Sequence, residues 1–340
     1  MASIVFPYMD LPESAQKEVL RTMDHKDLFA FSTLCRKSRT LVASLNIPAV
    51  HLDVDVCDSL IIEMKFPENT YSNLVFNLAK PNLRLLPLDE KYVLISNGST
   101  TTWRYPGINF QELIIHLCLI FNFSELSKLM FSSRDEIIRV KEVWDTLSGV
   151  LDYLHVYPAN SDEFTQKILR ICLATSKKLI LNRVTPLLGP NRFRHVAIQN
   201  LDALHLELFP TDLTLDDLLC CNSSIIGAVR NQHTQKTINR FLRSWIKGSN
   251  RRLEYISFSL ARGEAPDVNT LFKQITYQVI PDTVERKVKK HVSEYMSVTP
   301  ERRIDLVAGG FKIRNKWGIN ATVLFRRVYR RLNILMFVWN

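Results

Sequence analysis

The chain has 340 residues, 46% hydrophobic and 23% charged, with no low-complexity tract. This is the balance of a folded globular protein and excludes a disordered one. The length exceeds one ordinary domain, so two units, or one small module plus a long one, are expected. The net charge of +10 is unevenly placed: residues 281–340 hold 13 Lys/Arg against 5 Asp/Glu, whereas residues 1–60 hold 6 against 8.

In chain order, residues 6–45 read as three short amphipathic helices. Leu11-Pro12 opens the first, because the first helical turn has no partner for the N–H that proline lacks. Glu13 suits the positive helix end, and Ala15, Val19, Leu20 and Met23 form one apolar stripe. Asp24 is placed to cap the second helix, with Asp27 three residues on. Leu28, Phe29, Phe31, Leu34 and Cys35 make an apolar face wider than a lone helix needs. Ser32 is placed to cap a third helix carrying Leu41, Val42 and Leu45. Some 40 residues cannot enclose a stable core alone, so the rest of the chain or a partner must cover part of this surface.

Strand-like alternation follows at 50–56, 60–66, 74–78 and 92–95. Asn97-Gly98 signals a tight turn returning as a strand at 100–105. Residues 50–106 thus form a β-rich connecting section. From Phe110 the pattern alternates between helix and strand. Helices are expected at 110–122, 135–148, 162–175, 213–221 and 234–247; strands at 126–131, 151–157, 178–181, 195–198, 225–229 and 253–260. Strands fall mostly about 17 to 30 residues apart, near leucine-rich-repeat spacing, and such units bury their apolar faces only by stacking. The expected fold class is α+β: a three-helix module, a β section and a leucine-rich-repeat-like stack of helix–strand units. A doubly wound α/β fold competes, without a glycine-rich turn to support a nucleotide site. The tail reads as a hairpin turning near Asn315–Gly318, with strands at 321–325 and 334–339.

Six cysteines (Cys35, Cys57, Cys118, Cys172, Cys220, Cys221) lack Cys-x-x-Cys spacing and lie in apolar patterns, as buried thiols of a reducing compartment do. The N-terminus has no secretory pattern, and the run Leu113–Phe123 is too short to span a bilayer and contains His116. A soluble cytoplasmic or nuclear protein is expected. His25, His51, His116, His155, His195, His205, His233 and His291 are scattered without metal-ligand spacing. No nucleophile elbow or phosphate-binding loop occurs. Asp216-Asp217 reads as an acidic first helical turn. No metal, cofactor or enzymatic activity is expected.

Leu11-Pro12, Asp27-Leu28 and Leu34-Cys35-Arg36-Lys37-Ser38 resemble the F-box pattern, with Ser38 where the general pattern has tryptophan. The Arg36-Lys37-Ser38-Arg39 run is similar to the nematode-expanded F-box group, whose members carry a type 2 F-box-associated domain. Phe241-Leu242-Arg243-Ser244-Trp245-Ile246-Lys247-Gly248-Ser249-Asn250 resembles that domain's signature, with Gly248 as a left-handed helix cap and Trp245 in the core. The resemblance implies an F-box at 1–49, the β section at 50–106 and an F-box-associated substrate-recognition domain at 107–340. It implies a substrate-recognition subunit of an SCF-type cullin-RING ubiquitin ligase. Leu11, Pro12, Val19, Leu20, Leu28, Phe31, Leu34 and Cys35 would meet the small adaptor subunit, and through it a cullin. The rest of the chain would hold an unidentified target protein, on the exposed residues of its short strands.

The other feature above background is basic. Arg286, Lys287, Lys289 and Lys290 read as one helix, and Arg326-Arg327 and Arg330-Arg331 flank Tyr329. Clustered cations beside an aromatic suit nucleic acid or an acidic partner, which makes a nucleic-acid-binding or scaffold protein the alternative. A solvated face with arginine stems over apolar surface is the simpler expectation.

Overall fold

The computed structural model describes residues 8–57, 59–67, 74–79, 92–96, 99–103, 110–123, 126–132, 144–145, 151–157, 162–181, 190–206, 214–260, 265–298, 304–328 and 331–339. The chain divides into two compact units, Met1–Asp152 and Tyr153–Asn340. It mixes helix and strand, with N-terminal helices followed by sheet. Among the described residues no helix is long and apolar enough to cross a membrane.

The first unit opens with α1 (Glu13–Arg21), α2 (His25–Ser32) and α3 (Arg36–Ser44). Five strands follow: β1 (His51–Val56), β2 (Ser59–Lys65), β3 (Leu74–Ala79), β4 (Tyr92–Ser96) and β5 (Ser99–Trp103). They pair antiparallel in sequence order. After α4 (Phe110–Ile120), β6 (Leu126–Phe131) joins the free side of β1 in parallel. The period-two pattern of β1 is visible in its packing: Leu52, Val54 and Val56 are buried while His51, Asp53 and Asp55 are not. Ser96 pairs with Ser99 as a two-residue turn requires, although Asn97 and Gly98 themselves lie outside the described residues. So does most of the helix expected at 135–148.

The second unit begins within β7 (Leu151–Val156) and alternates helix with strand. Its elements are α5 (Asp162–Cys172), β8 (Ser176–Leu181), α6 (Pro190–Ala197), β9 (Ala203–Leu206), α7 (Leu215–Cys220), β10 (Ile225–His233), α8 (Gln235–Ile246) and β11 (Tyr255–Leu260). Strands β8, β9, β10 and β11 lie parallel in chain order. Then come α9 (Val268–Leu271), β12 (Gln278–Lys287), α10 (Lys290–Val298), β13 (Leu306–Arg314), β14 (Asn320–Val328) and β15 (Arg331–Trp339). Strand β15 pairs antiparallel with β11, and β14, β13 and β12 continue the sheet outward.

Two rows of side chains show how this sheet is packed. Leu179, Leu204, Ile226, Ile256 and Met336 stand in register across five strands and are all fully buried. Phe258 shares their face and meets Phe241 of α8 edge-on, with ring centroids 5.3 Å apart. The alternate row, Ala203, Ile225, Tyr255 and Phe337, packs against Val292, Tyr295 and Met296 of α10. Strands covered on both faces read as continuous apolar runs, as β9 (ALHL) and β11 (YISFSL) do.

The structure corrects the sequence reading in several places. His195–Ile198 is no strand: His195–Ala197 closes α6, with Pro190 at its first position and Phe193, Val196 and Ala197 buried at helical spacing. The strand is β9, which the expectation missed. Arg286 and Lys287 end strand β12 rather than joining Lys290 on a helix; Pro281 and the β-branched Val279, Ile280, Thr283 and Val284 favour the extended chain. Every residue of β11 is buried, so that strand cannot supply the exposed target-binding side chains expected of it; β9 is buried throughout as well.

Gly227 of β10 shows how tightly α10 is seated. A Cβ there would lie 2.1 Å from the Tyr295 hydroxyl and 2.6 Å from Nδ1 of His205, two groups that share a buried hydrogen bond of 2.7 Å. Gly227→Ala is expected to destabilise the second unit by about 1–3 kcal/mol, read as a lower urea midpoint at unchanged slope.

Candidate functional site

Each N-terminal helix is started by a local device. Pro12 precedes α1 with φ −52°, and Glu13 in its first turn pairs with Lys17 at 2.7 Å. Gln16, nearly fully buried, donates from Nε2 to the Met9 and Leu11 carbonyls at 3.1 and 2.9 Å, while the Tyr8 hydroxyl donates to the Gln16 carbonyl at 2.8 Å. These bonds fix Leu11-Pro12 against α1. The Tyr8 ring also meets Phe31 of α2 edge-on at 5.3 Å. As expected, the Asp24 carboxylate caps α2, accepting from the Asp27 N–H at 2.7 Å.

The start of α3 differs from the expectation. Ser32 does not cap it, because that residue ends α2 with its hydroxyl directed inward. The cap is Cys35. Its Sγ accepts from the Ser38 N–H at 3.4 Å, and its own N–H donates to the Ser38 hydroxyl at 3.0 Å, which completes a reciprocal capping box. Ser38 is fully buried. In the position where the general pattern has tryptophan, a small hydroxyl closes the helix end instead of filling space.

The core behind these helices is supplied from further along the chain. Helix α4 buries Leu113, Ile114, Leu117 and Ile120. Its His116 reaches Ser32 Oγ at 2.7 Å and meets the Phe29 ring edge-on at 5.7 Å. His25 stacks on Phe66 at 3.6 Å, and Phe66 meets Phe121 at 5.0 Å. Ser32 already donates to the Phe29 carbonyl at 2.6 Å, so in the His116 contact Nε2–H of the neutral imidazole donates to the Ser32 hydroxyl oxygen. Burial, helped by the nearby Arg39 charge, lowers the His116 pKa from 6.5 to about 4.

The eight expected contact residues fall into two groups. Leu20 and Leu28 are buried and hold the helices together. Pro12, Val19, Leu34 and Cys35 are exposed, Leu34 to 69%, with Leu11 and Phe31 partly exposed. Cys35 corrects the expectation of six buried thiols; all six cysteines are free, and Cys172 and Cys221 are buried. Hydrogen bonds from Ser38 lower the Cys35 pKa, whereas burial raises those of Cys172 and Cys221 to about 12.

Arg326 and Arg327 are neighbours on β14 and project to opposite faces. Arg331 begins β15, and Tyr329 and Arg330 lie outside the described residues. Among the described residues no group of His, Cys, Asp and Glu could hold a metal ion. The signature helix is as expected: Trp245 is buried, and Gly248 at φ +107° ends α8. The acidic turn is too, with Thr214 and Asp217 forming the capping box of α7. Sequence reasoning missed the share of α4, whose signal was the apolar residues at 113, 114, 117 and 120.

The N-terminal helical module keeps Val19 and Leu34 exposed while α4 supplies part of its core. Residues 9–49 match the F-box domain family, and residues 192–258, from α6 to β11, match the F-box associated family. These two matches make the chain similar to the nematode-type F-box proteins that carry a type 2 F-box associated domain. It is 26% identical over 288 residues to the F-box associated domain-containing protein sdz-33 of Caenorhabditis elegans, covering 82% of this chain and 87% of that protein. No solved structure matches it.

Two outcomes follow from these environments. His116 is buried neutral with a lowered pKa, so its contribution is complete above the unfolded value of 6.5 and is lost as pH falls through about 4. Unfolding midpoints of the first unit should drop across that window, and His116→Leu should flatten the drop. At neutral pH, iodoacetamide should modify Cys35 before Cys172 and Cys221, as peptide mass mapping would show.

Proposed function

We propose that this chain is the substrate-recognition subunit of an SCF-type cullin-RING ubiquitin ligase, working in the cytoplasm or nucleus. Its F-box meets the small adaptor subunit, and the later domain brings a target protein. The observation that carries this is the exposure of Val19 on α1, of Pro12 just before it and of Leu34 between α2 and α3, in a module whose own core is already closed by α4. Large apolar groups left in water at such positions are what a partner desolvates. Leu11, Pro12, Val19, Leu34 and Cys35 are the proposed contacts, Phe31 borders them, and Leu20 and Leu28 support them from behind.

We assign the F-box to residues 1–49, the connecting section to 50–106 and target recognition to 107–340, with a leucine-rich-repeat-like character in its parallel strands. The chain performs no bond chemistry in this reading. It raises the effective concentration of target lysines near the conjugating enzyme, a gain of proximity and orientation. Nucleic-acid binding through Arg326, Arg327, Arg330 and Arg331 finds no such support, since the first two face opposite ways.

Co-expression with the adaptor followed by gel filtration tests the proposal. The wild-type chain should co-elute with the adaptor, and Leu34→Asp or Leu11→Ala with Pro12→Ala should weaken the complex at least about tenfold. Arg326→Glu with Arg327→Glu should leave it intact. An adaptor complex that survives both apolar variants, or none with wild type, would sink the idea.

A further inference from the structure

The second unit brings two turns together that the sequence keeps over 60 residues apart. One, residues 247–252, follows α8; the other, residues 314–318, joins β13 to β14. They touch directly. The Lys316 N–H donates to the Ile246 carbonyl at 2.9 Å, and a Cβ on Gly248 would lie 2.3 Å from Cη2 of Trp317. Together they hold Lys247, Arg251, Arg252, Arg314 and Lys316, and no carboxylate.

Most of this charge is unmatched. Arg252 donates to the Asn222 carbonyl at 3.2 Å and approaches Asp202 at 3.8 Å. Lys247, Arg251, Arg314 and Lys316 are exposed and form no ion pair among the described residues. At their centre Trp317 is 42% exposed, with the Arg251 guanidinium and the Lys316 ammonium each 4.6 Å from its ring centroid. The turn is rigid: Asn315 Oδ1 accepts from the N–H groups of Trp317 and Ile319, both at 3.0 Å.

We propose that this double turn is a docking site for an acidic peptide segment of a partner protein. Guanidinium and ammonium groups pair with carboxylates, and the exposed part of Trp317 offers an apolar anchor between them. Nucleic acid fits less well, because Arg251, Lys316 and Gly248 already lie against the indole on which a base would stack. The proposal does not rest on the ligase reading; an acidic segment is held whether or not the adaptor binds. The second turn also lies beyond residues 192–258, the matched part of this region.

The test is fluorescence anisotropy with the full chain and a labelled oligoglutamate peptide, single-stranded DNA serving as competitor. Wild type should bind saturably, and Arg251→Glu with Lys316→Glu should weaken binding at least about tenfold, as expected when close charge pairs are reversed. Arg326→Glu with Arg327→Glu makes the same change in net charge and should weaken it by less than about threefold. If the first variant loses its thermal unfolding transition, Arg251→Gln with Lys316→Gln decides by the same comparison. No saturable binding, equal loss in the two reversal variants, or DNA that displaces the peptide more readily than unlabelled peptide does would overturn the proposal.

Discussion

Three helices of eight or nine residues enclose too little apolar surface to hold themselves together, and the N-terminal part is organised around that shortage. Helix α4 relieves it from more than 60 residues away in sequence. It brings Leu113, Leu117 and Ile120 as bulk and His116 as a polar partner for Ser32. The imidazole is kept neutral by the same burial that closes the core. Once α4 is in place, the fold no longer requires Val19 and Leu34 to be covered. Their exposure is a surplus left after the module's own packing, the condition under which an apolar residue is free to serve a partner.

A related economy of surface governs the second unit. Strands β9 and β11 are buried along their whole length; α8 meets one face of β11, and α10 packs against the other face of the sheet at both strands. Side chains committed to two layers of packing are unavailable for recognition. Chemistry therefore moves to the connections, where backbone geometry is set locally and side chains reach water. The turn after α8 and the β13–β14 turn are such places, and each is built by its own residues: Gly248 at positive φ in one, Asn315 closing the other.

This division explains what could be read in advance. Asp24 at its cap, Trp245 in the core, Gly248 at a helix end, Asp217 in a capping box and the turn at Asn315–Gly318 are decided within a few residues, so residue type and spacing reveal them. Several misreadings required distant information. Ser32 resembles a helix cap until His116 arrives from α4 to meet it. Strand β9 has only four residues and no alternation, because both its faces are covered. Leu20 and Leu28 belong to the same apolar pattern as Val19 and Leu34, and only tertiary packing separates those held inside from those left outside.

Charge was legible in amount but not in placement. The sequence concentrates cations toward its end, yet consecutive arginines on a strand are separated by alternation, as Arg326 and Arg327 are. Turns escape that rule, and two turns in contact can sum their charges at one place. What joins them is backbone: Lys316 N–H to the Ile246 carbonyl, with the Asn315 side chain ordering the loop. Among the described residues their cations make few internal contacts: those of Arg252, a bond from Arg314 Nε to the Gly318 carbonyl at 3.0 Å, and the ring faces of Trp317. Like charges gathered where the fold does not need them raise the energy of the free surface, and an anionic partner is what lowers it.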